Sequence, residues 1–307
     1  MIKILKYHKI DFGKYKKCLE DSSQNSDYAD KDFLDVVSDK QWFLLVYGDY
    51  QAVMPVSYTK KFGFKIIVMP MICQQLGVFS KEDNALVNEK FYHFLQENFL
   101  VFFYAFNGDN SFNKTVIKKT SYLIQKDCYE NIKKNYSVHR RRNVRIIDDL
   151  VGNINIKKEP TENAADFFIK NLKGTIKKKD NYNYYNIFTR LLQKNIGVMR
   201  ILEFKNTIQS FVYLYKGKRN IYLSLFINNY PLANPNFPSI MIDHCLQEFI
   251  EEKNFDFMGS DVENVAKFNQ RFGAVSYQYP IIMNTKITLI KNLLKKSRFI
   301  TNFATSK

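Results

Sequence analysis

Apolar residues along the chain alternate or cluster in a way that predicts strands and helices in an order that occurs twice. In the first half, two apolar stretches flank Gly48-Asp49, a residue pair typical of a tight hairpin turn. A third strand, a helix with one apolar face and a buried strand follow. The predicted strands are 2–7, 42–47, 51–58, 64–69 and 100–106, and the predicted helices are 12–20 and 84–97.

The second half repeats this order. Its predicted strands are 153–159, 198–204, 207–215, 220–226, 255–258 and 275–283, and its predicted helices are 161–172, 184–194, 239–252 and 262–272. In both halves three strands lead to a linker, a helix and a further strand, and Leu95-Gln96-Glu97 is echoed by Leu246-Gln247-Glu248. This spacing indicates an internal duplication.

Length and composition agree with two folded modules. A chain of 307 residues suits two domains of common size, and an apolar content of 46% is that of a packed globule. We predict an α/β (α+β) fold in which each module is a mixed, mostly antiparallel sheet flanked by helices. The predicted parts are an N-terminal module at 1–128, a basic linking helix at 129–150, a C-terminal module at 151–285 and a basic amphipathic tail at 286–307.

The net charge of +16 indicates a polyanionic partner such as RNA, a CoA-type phosphate ligand or an anionic membrane face. Most of this charge is scattered lysine, which biased coding also produces. Arginine is different, because four of the nine arginines fall within 140–145. Their forked donors suit phosphate, although a solvated helix face is the alternative. The predicted phosphate- or RNA-binding residues are His139, Arg140, Arg141 and Arg142.

The sequence lacks the signals that mark several functional classes. No apolar run reaches the roughly 18 residues of a membrane-spanning helix, and the N-terminus does not resemble a signal peptide, so we predict a cytoplasmic protein. Dispersed cysteines and histidines predict no metal site, and the motifs of nucleotide hydrolases, dinucleotide oxidoreductases and lipase-like hydrolases are missing. The tail has apolar residues at helical spacing among lysines, which predicts docking on the body or contact with an anionic membrane.

Three segments carry a resemblance to a known family. They are Met-Pro-Met-Ile-Cys-Gln-Gln-Leu-Gly-Val-Phe at 69–79, Phe-Asp-Phe-Met-Gly-Ser at 255–260 and Lys-Phe-Asn-Gln-Arg-Phe-Gly-Ala at 267–274. The order of elements resembles the GNAT fold, and its doubling, over about residues 1–285, resembles Fem-type N-acyltransferases. The resemblance implies two tandem GNAT-like modules that move an acyl or aminoacyl group to an amine of a cell-wall, sugar or peptide acceptor by direct attack.

The donor implied by the resemblance is acyl-CoA or aminoacyl-tRNA, used as a co-substrate with no tightly bound cofactor. GNAT enzymes that use acetyl-CoA usually carry a glycine-rich phosphate loop, and the matching stretch here, Ala-Asn-Pro-Asn-Phe-Pro-Ser at 233–239, has no glycine. Fem-like proteins also lack that loop, so both donors stay open. We expect the helix that starts near Pro238 to offer free N–H groups to an anion, with hydrogen bonds added by Asn234, Asn236 and Ser239. Alternatively, these residues turn the chain and cap the helix.

The fold also implies where the acyl arm binds. The strands at 220–226 and 255–258 are expected to splay and leave unpaired backbone groups that an extended arm joins like an added strand. Such positioning can lower a barrier by about 7–11 kcal/mol, so a catalytic triad is not required. On the first strand, Tyr222 and Ser224 are the predicted donor-binding residues.

Three further residues complete the predicted site. Gln74 and Gln75 follow an apolar strand and are predicted to bind the acceptor at a cleft between the copies, or else to satisfy a buried loop. Asp261 follows a strand end and is the predicted catalytic base, or else the N-cap of the next helix. The competing hypothesis is a duplicated module without catalysis that binds RNA or another polyanion through its basic face.

Overall fold

The computed structural model describes residues 1–24, 26–61, 63–150, 152–173, 178–229, 234–259 and 262–293. The chain forms two compact units. Unit 1 consists of Met1–Lys119 and the chain from Gln278 onward, and unit 2 is Thr120–Tyr277. The module boundaries at 128, 150 and 285 stay predictions, because a compact unit and a repeated module are defined in different ways.

Unit 1 is built on a mixed sheet. Its strands are β1 (Ile2–Lys6), β2 (Trp42–Tyr47), β3 (Ala52–Lys61), β4 (Phe64–Ile67), β5 (Phe79–Ser80), β6 (Leu100–Val101) and β7 (Phe103–Ala105), and its helices are α1 (Phe12–Glu20), α2 (Lys31–Val37) and α3 (Ala85–Asn98). The strand order is β1-β2-β3-β4-β6, with β5 also paired to β3. Neighbours from β1 to β4 are antiparallel, whereas β4 and β6 are parallel.

Unit 2 contains a second mixed sheet. Its strands are β8 (Ile117–Ile124), β9 (Ile154–Lys157), β10 (Gly197–Phe204), β11 (Thr207–Lys216), β12 (Asn220–Asn228), β13 (Asn254–Asp256) and β14 (Val275–Met283), and its helices are α4 (Tyr129–Lys134), α5 (Val138–Asp149), α6 (Ala164–Asn171), α7 (Lys178–Gln193), α8 (Phe237–Phe249) and α9 (Glu263–Gln270). The sheet runs β9-β10-β11-β12-β13-β8. Here β9 to β12 are antiparallel neighbours and β12 and β13 are parallel.

The two units share one topology. β1, β2, β3, β4 and β6 of unit 1 match β9, β10, β11, β12 and β13 of unit 2 in order and direction, and two helices follow the first strand in each. The helix before the parallel strand also matches, because Leu95 in α3 and Leu246 in α8 are both fully buried near the helix end. The predicted duplication and the predicted mixed α/β class are therefore confirmed.

The closing strand of each copy crosses from one unit to the other. β8 follows β7 in the chain and ends in unit 2, where Leu123 lies opposite Asp256 of β13. β14 follows α9 and ends in unit 1, where Ile281 lies opposite Ala105 of β7. The last strand of each copy thus pairs with a strand of the other copy.

The hydrophobic core that supports the site lies between the sheet of unit 2 and α8. Ile221, Leu214 and Phe255 on the sheet and Met241 and Leu246 on α8 are all buried in one apolar cluster. Burying side chains of this size stabilises the fold by about 1.5–3 kcal/mol each. The strands next to the site are therefore held firmly on this face.

The predicted basic helix is wrong as one element, because α4 and α5 are separate. The hydroxyl of Ser137 accepts a hydrogen bond from the Arg140 N–H at 3.2 Å and so begins a new helix. Residues 286–293 of the predicted tail are helical, with Ile287 and Ile290 more than half exposed, and the rest of the tail lies outside the described residues. None of the described helices is long and apolar enough to cross a membrane.

Candidate functional site

β12 and β13 separate partway along their length. They pair over three residues, from Asn220 opposite Asn254 to Tyr222 opposite Asp256. β12 then continues to Asn228, whereas the next residue after β13 donates its N–H to the Tyr122 carbonyl of β8 at 2.9 Å. We call this divergence the fork and residues 223–227 the β12 edge. The splay predicted for these two strands is confirmed.

Two backbone features produce the fork. The Oδ1 atom of Asp256 accepts the Met258 N–H at 2.7 Å, and Met258 and Gly259 adopt left-handed φ angles of 56° and 62°, so the chain turns away from β12. In β12, Ser224 is the extra residue of a bulge, because Leu223 lies opposite Leu214 and Leu225 lies opposite Tyr213. A bulge of this kind bends its strand and increases the local twist.

The β12 edge has backbone groups that face away from β11. The Asn229 N–H donates to the Gln209 carbonyl at 2.8 Å, which fixes the phase of the antiparallel ladder. Because this ladder alternates, the N–H and C=O of Phe226 point to the opposite side. In the described ranges no strand pairs with β12 there beyond Tyr222. Residues 223–226 are partly exposed, so an extended ligand can pair with this edge.

Asp256 lies at the vertex of the fork, and sequence reasoning did not single it out. Its side chain is buried and accepts hydrogen bonds from the Ser121 hydroxyl at 3.2 Å and the Tyr277 hydroxyl at 2.8 Å, besides the Met258 N–H. Burial raises the pKa of Asp256 to about 6, and this effect exceeds the lowering by the three donors. A single Asp in an apolar strand carries no sequence signal for this, because the shift depends on strands distant in the chain.

The predicted donor residues on β12 contribute mainly through their backbone. The Tyr222 side chain is buried, stacks on Tyr215 with ring centroids 5.4 Å apart, and accepts a hydrogen bond from Asn220 Nδ2 at 2.8 Å. Its ring therefore packs in the sheet, and only its main chain lies at the fork. Ser224 is half-buried in the bulge on the β12 edge.

The start of α8 differs from the prediction of free N–H groups. The Phe237 N–H donates to the Asn234 carbonyl at 3.0 Å, and those of Ser239 and Ile240 donate to the Asn236 carbonyl at 2.9 and 3.1 Å. Pro238 has no N–H. The Asn234 side chain also accepts the Asn236 N–H at 3.0 Å. Asn234 therefore turns the chain before α8, which was the alternative to anion binding. The first-turn donors are thus already used.

Arg140, one of the predicted phosphate-binding residues, is buried beside the start of α8, which excludes the alternative of a solvated position for this residue. One guanidinium nitrogen donates to the Ser239 hydroxyl and another to the Phe268 carbonyl at 3.1 Å, and the group lies 4.1 Å from the ring centres of Phe268 and Phe272. Its Nε atom is buried without a partner, and no carboxylate in the described chain pairs with it. Burial lowers the pKa of Arg140 to about 10. Among the described residues, this cation therefore has no counter-ion.

The other predicted phosphate-binding residues lie on α5 and are accessible to different extents. His139 and Arg142 are exposed, and the His139 ring contacts the Asn143 side chain at 3.1 Å. Arg141 is half-buried and donates to the carbonyls of Lys134 and Tyr136 at 3.1 and 2.8 Å, which caps the end of α4. His139 and Arg142 are thus the members of this group that are open to a partner.

The remaining predicted residues fall elsewhere. Gln75 is buried in unit 1, where its Oε1 accepts the Gly108 N–H at 3.0 Å and its Nε2 donates to Gln74 at 3.0 Å. This agrees with the alternative of a buried loop. Asp261 lies outside the described residues, and its catalytic role stays a prediction. In the described ranges no group of three or more His, Cys, Asp or Glu side chains is placed to hold a metal.

Comparison with known proteins identifies the fold of the chain. No family model matches the chain, and no curated protein matches it. Among solved structures, FemX is similar with a TM-score of 0.60 at 9% identity over 92% of this chain and 98% of that one. A tandem GNAT protein from the clavulanic acid biosynthesis pathway has a TM-score of 0.53 at 6% identity, over 92% and 98%. L-PGS from Bacillus licheniformis has a TM-score of 0.50 at 11% identity, over 96% and 98%. The chain therefore has the Fem-type, tandem GNAT-like fold, which is an acyltransferase-like fold.

Proposed function

We propose that this protein is an N-acyltransferase that uses acyl-CoA or aminoacyl-tRNA to acylate an amine of a cell-wall, sugar or peptide acceptor. The observation that carries the proposal is the fork, because it leaves the β12 edge open to an extended acyl arm. Holding the donor carbonyl and the amine together in this way lowers the barrier without a covalent intermediate. Both donors are made in the cytoplasm, and we place the reaction there.

Arg140 supports an anionic donor. A buried cation without a counter-ion is unfavourable by several kcal/mol, and the two aromatic faces offset only about 2 kcal/mol of that. A phosphate group near Ser239 would supply the missing negative charge. Both the pyrophosphate of CoA and the phosphodiesters of tRNA carry this negative charge, so the contact with Arg140 alone does not distinguish the two donors.

Asp256 has a positioning role in the proposed reaction. Its ionised carboxylate accepts the Met258 N–H and two hydroxyl groups, and it thereby fixes the turn that opens the fork. Protonation near pH 6 weakens these three contacts. Asp261, two residues beyond Gly259, remains our proposed base for the acceptor amine. Of the two predicted acceptor residues, the half-buried Gln74 remains the proposed contact, because Gln75 is buried and bonded within its loop.

A binding experiment with two donors tests the proposal. The purified chain is titrated at low salt with acetyl-CoA and, separately, with alanyl-tRNA, and binding is followed by thermal shift and filter retention. We expect saturable binding of one of them, and no comparable binding of S-acetylpantetheine, which keeps the acyl arm of acetyl-CoA but lacks the pyrophosphate that Arg140 would contact. If neither donor binds, the acyltransferase proposal is wrong.

The basic face of α5 favours a second candidate, a non-catalytic module that holds RNA. His139, Arg142 and Arg145 are exposed on this helix, and phosphate contacts of this kind give strongly salt-dependent affinity. The double change Arg142→Ala with Arg145→Ala would then abolish RNA binding. Under the acyltransferase proposal, acetyl-CoA binding is unaffected by the same change.

A further inference from the structure

Unit 1 contains the position that corresponds to the fork, but the chain itself occupies it. β4 and β6 are the counterparts of β12 and β13, and they pair in parallel over only two residues before β4 ends at Ile67. In unit 1, residues 75–80 then run along the space that opens between β3 and β7. We call residues 75–80 the inserted segment.

The inserted segment makes backbone contacts on both of its sides. On one side the Leu76 N–H donates to the Ala105 carbonyl of β7 at 3.0 Å. That carbonyl points away from β14, because Phe106 N–H donates to Pro280 and the ladder alternates. On the other side, Phe79 and Ser80 form β5 and pair with Val53 and Ala52 of β3. The segment thus binds the edge of β7 as an added strand would.

Side chains fix the inserted segment further. Asn110 is buried and imitates a strand partner, since its Oδ1 accepts the Val78 N–H at 3.0 Å and its Nδ2 donates to the Val78 carbonyl at 2.8 Å. The Tyr104 hydroxyl accepts the Gly77 N–H at 3.0 Å and donates to the Pro55 carbonyl at 2.9 Å. Leu76 and Val78 are fully buried.

Gly77 shows how closely this segment fits. Its φ is +96°, and a Cβ atom there would lie 2.5 Å from the Asn107 backbone nitrogen and 2.3 Å from Asn110 Oδ1. Only glycine satisfies both the conformation and the contact. From the last parallel pair to the next helix, the chain has 17 residues in unit 1 (68–84) and 14 in unit 2 (223–236). In unit 1 these residues leave the line of β4 and fill the space, whereas in unit 2 the first six of them continue β12.

We propose that unit 1 is a self-occupied copy: Leu76, Gly77 and Val78 fill the space beside β7 that corresponds to the donor's space in unit 2, and β5 lies on β3 as β12 lies on β11, so the chain has one donor site, at the β12 edge. This inference rests on the proposed function for the location of that site. It also assigns the Gln-Gln-Leu-Gly stretch a role as an internal occupant of the fold. Unit 1 then serves the reaction without binding a second donor.

Hydrogen exchange tests the occupied position without any ligand. In the full chain, we expect the amides of Leu76, Gly77 and Val78 to exchange as slowly as those of the buried strands β2 and β11. The Phe226 amide on the β12 edge is expected to exchange at least 100-fold faster, because its N–H points away from β11 and no described strand pairs with it. Exchange of Leu76 as fast as Phe226 would overturn the inference.

Stoichiometry tests the single site. Native mass spectrometry of the wild-type chain with acetyl-CoA or alanyl-tRNA is expected to show one donor bound per chain, and about tenfold less bound donor with Phe226→Pro at a subsaturating donor concentration. Two donors per chain, or an unchanged bound fraction with Phe226→Pro, would overturn the inference while leaving the acyltransferase proposal intact. No donor bound to the wild type would refute the acyltransferase proposal, and the inference would then be decided by the exchange rates of Leu76 and Gly77.

Discussion

The fork of unit 2 and the filled position of unit 1 show two outcomes of one topology. In both units a strand runs parallel to its neighbour for two or three residues and then departs. In unit 1 the Leu76 N–H of the chain itself pairs with β7 in the resulting space. In unit 2 the N–H and C=O of Phe226 stay at the strand edge and face away from β11. Duplication supplied the same scaffold twice, and the two copies differ in the path that the chain takes after the last parallel pair.

The N-terminal ends of the helices that follow β4 and β12 also differ between the two units. α3 in unit 1 has an ordinary N-cap, because Asn84 Oδ1 accepts the Val87 N–H at 3.1 Å. α8 in unit 2 has no side-chain cap and instead has the buried Arg140 at its first turn. The first turn of the unit 1 helix is therefore capped, whereas unit 2 has at the same point a buried cation that no carboxylate of the described residues pairs with.

The largest effect is expected at Gly77. Gly77→Ala adds a methyl group in a left-handed conformation against the Asn107 backbone, which together cost about 3 kcal/mol of unfolding free energy. Urea denaturation measures this loss. Gly63→Ala is the matched control, because Gly63 also has a positive φ but nothing within 4 Å of the added Cβ, so only about 1–2 kcal/mol is expected. Equal losses in the two variants would mean that the inserted segment is not tightly held.

Asp256 is expected to give a pH-dependent effect of similar size. Its folded pKa of about 6 lies above the ordinary value of 3.8, so the folded state binds more protons between these limits and stability falls as pH rises from about 4 to about 6. This contribution amounts to about 3 kcal/mol. Asp256→Asn removes it, so the unfolding free energy of the variant minus that of the wild type should increase over this range.

Denaturation at pH 4.5 and pH 7 measures that difference, with Asp148→Asn on the exposed side of α5 as the control. In the wild type, donor binding should also weaken below pH 6, because the protonated side chain holds the Met258 turn less firmly. A pH-independent difference for Asp256→Asn would contradict the raised pKa.

Phe226→Pro distinguishes backbone recognition from side-chain recognition at the fork. Proline is tolerated where a strand N–H faces away from its neighbour, so the fold is expected to persist. Loss of the N–H and of one backbone hydrogen bond should weaken donor binding about tenfold, measured by isothermal titration. Phe226→Ala keeps the N–H and should bind more tightly than Phe226→Pro. Equal affinity in the two variants would place the donor elsewhere.

The smallest effect on stability is expected from Arg140→Met, which replaces the uncompensated charge by an apolar side chain of similar length. We expect its Tm to stay within a few degrees of the wild type, since lost hydrogen bonds offset the relief of the buried charge. Inorganic pyrophosphate should raise the Tm of the wild type and of Arg142→Met but not of Arg140→Met. A rise in all three proteins would remove Arg140 from the donor site.

Elements with clear periodicity were predictable from the sequence. α1, β2 and β14 have the predicted bounds, because their apolar residues have regular spacing and their ends carry turn or capping residues. α2 was missed because five of its seven residues are buried, which leaves no polar face to mark a helix. β8 was missed because two lysines interrupt its first half, although Tyr122 and Ile124 are buried in the second.

The site was less predictable than the fold. The fork could be anticipated from the order of strands, but Asp256 depends on Ser121 and Tyr277, which are more than 20 residues away in sequence. The clustered arginines likewise gave no indication that Arg140 faces inward, because a helix of mixed charge buries whichever residue faces α8. Tertiary contacts, and not local pattern, decide both of these features.

The crossing of β8 and β14 constrains how the protein is made. The edge of β7 that pairs with Ile281 has no partner until the ribosome has passed residue 283. An unpaired strand edge is a template for aggregation, and domains emerging from the ribosome usually fold as units. The edge of β7 therefore stays without this partner during synthesis of the first 119 residues, and a chain cut between the two copies would leave β7 and β13 each without one paired strand.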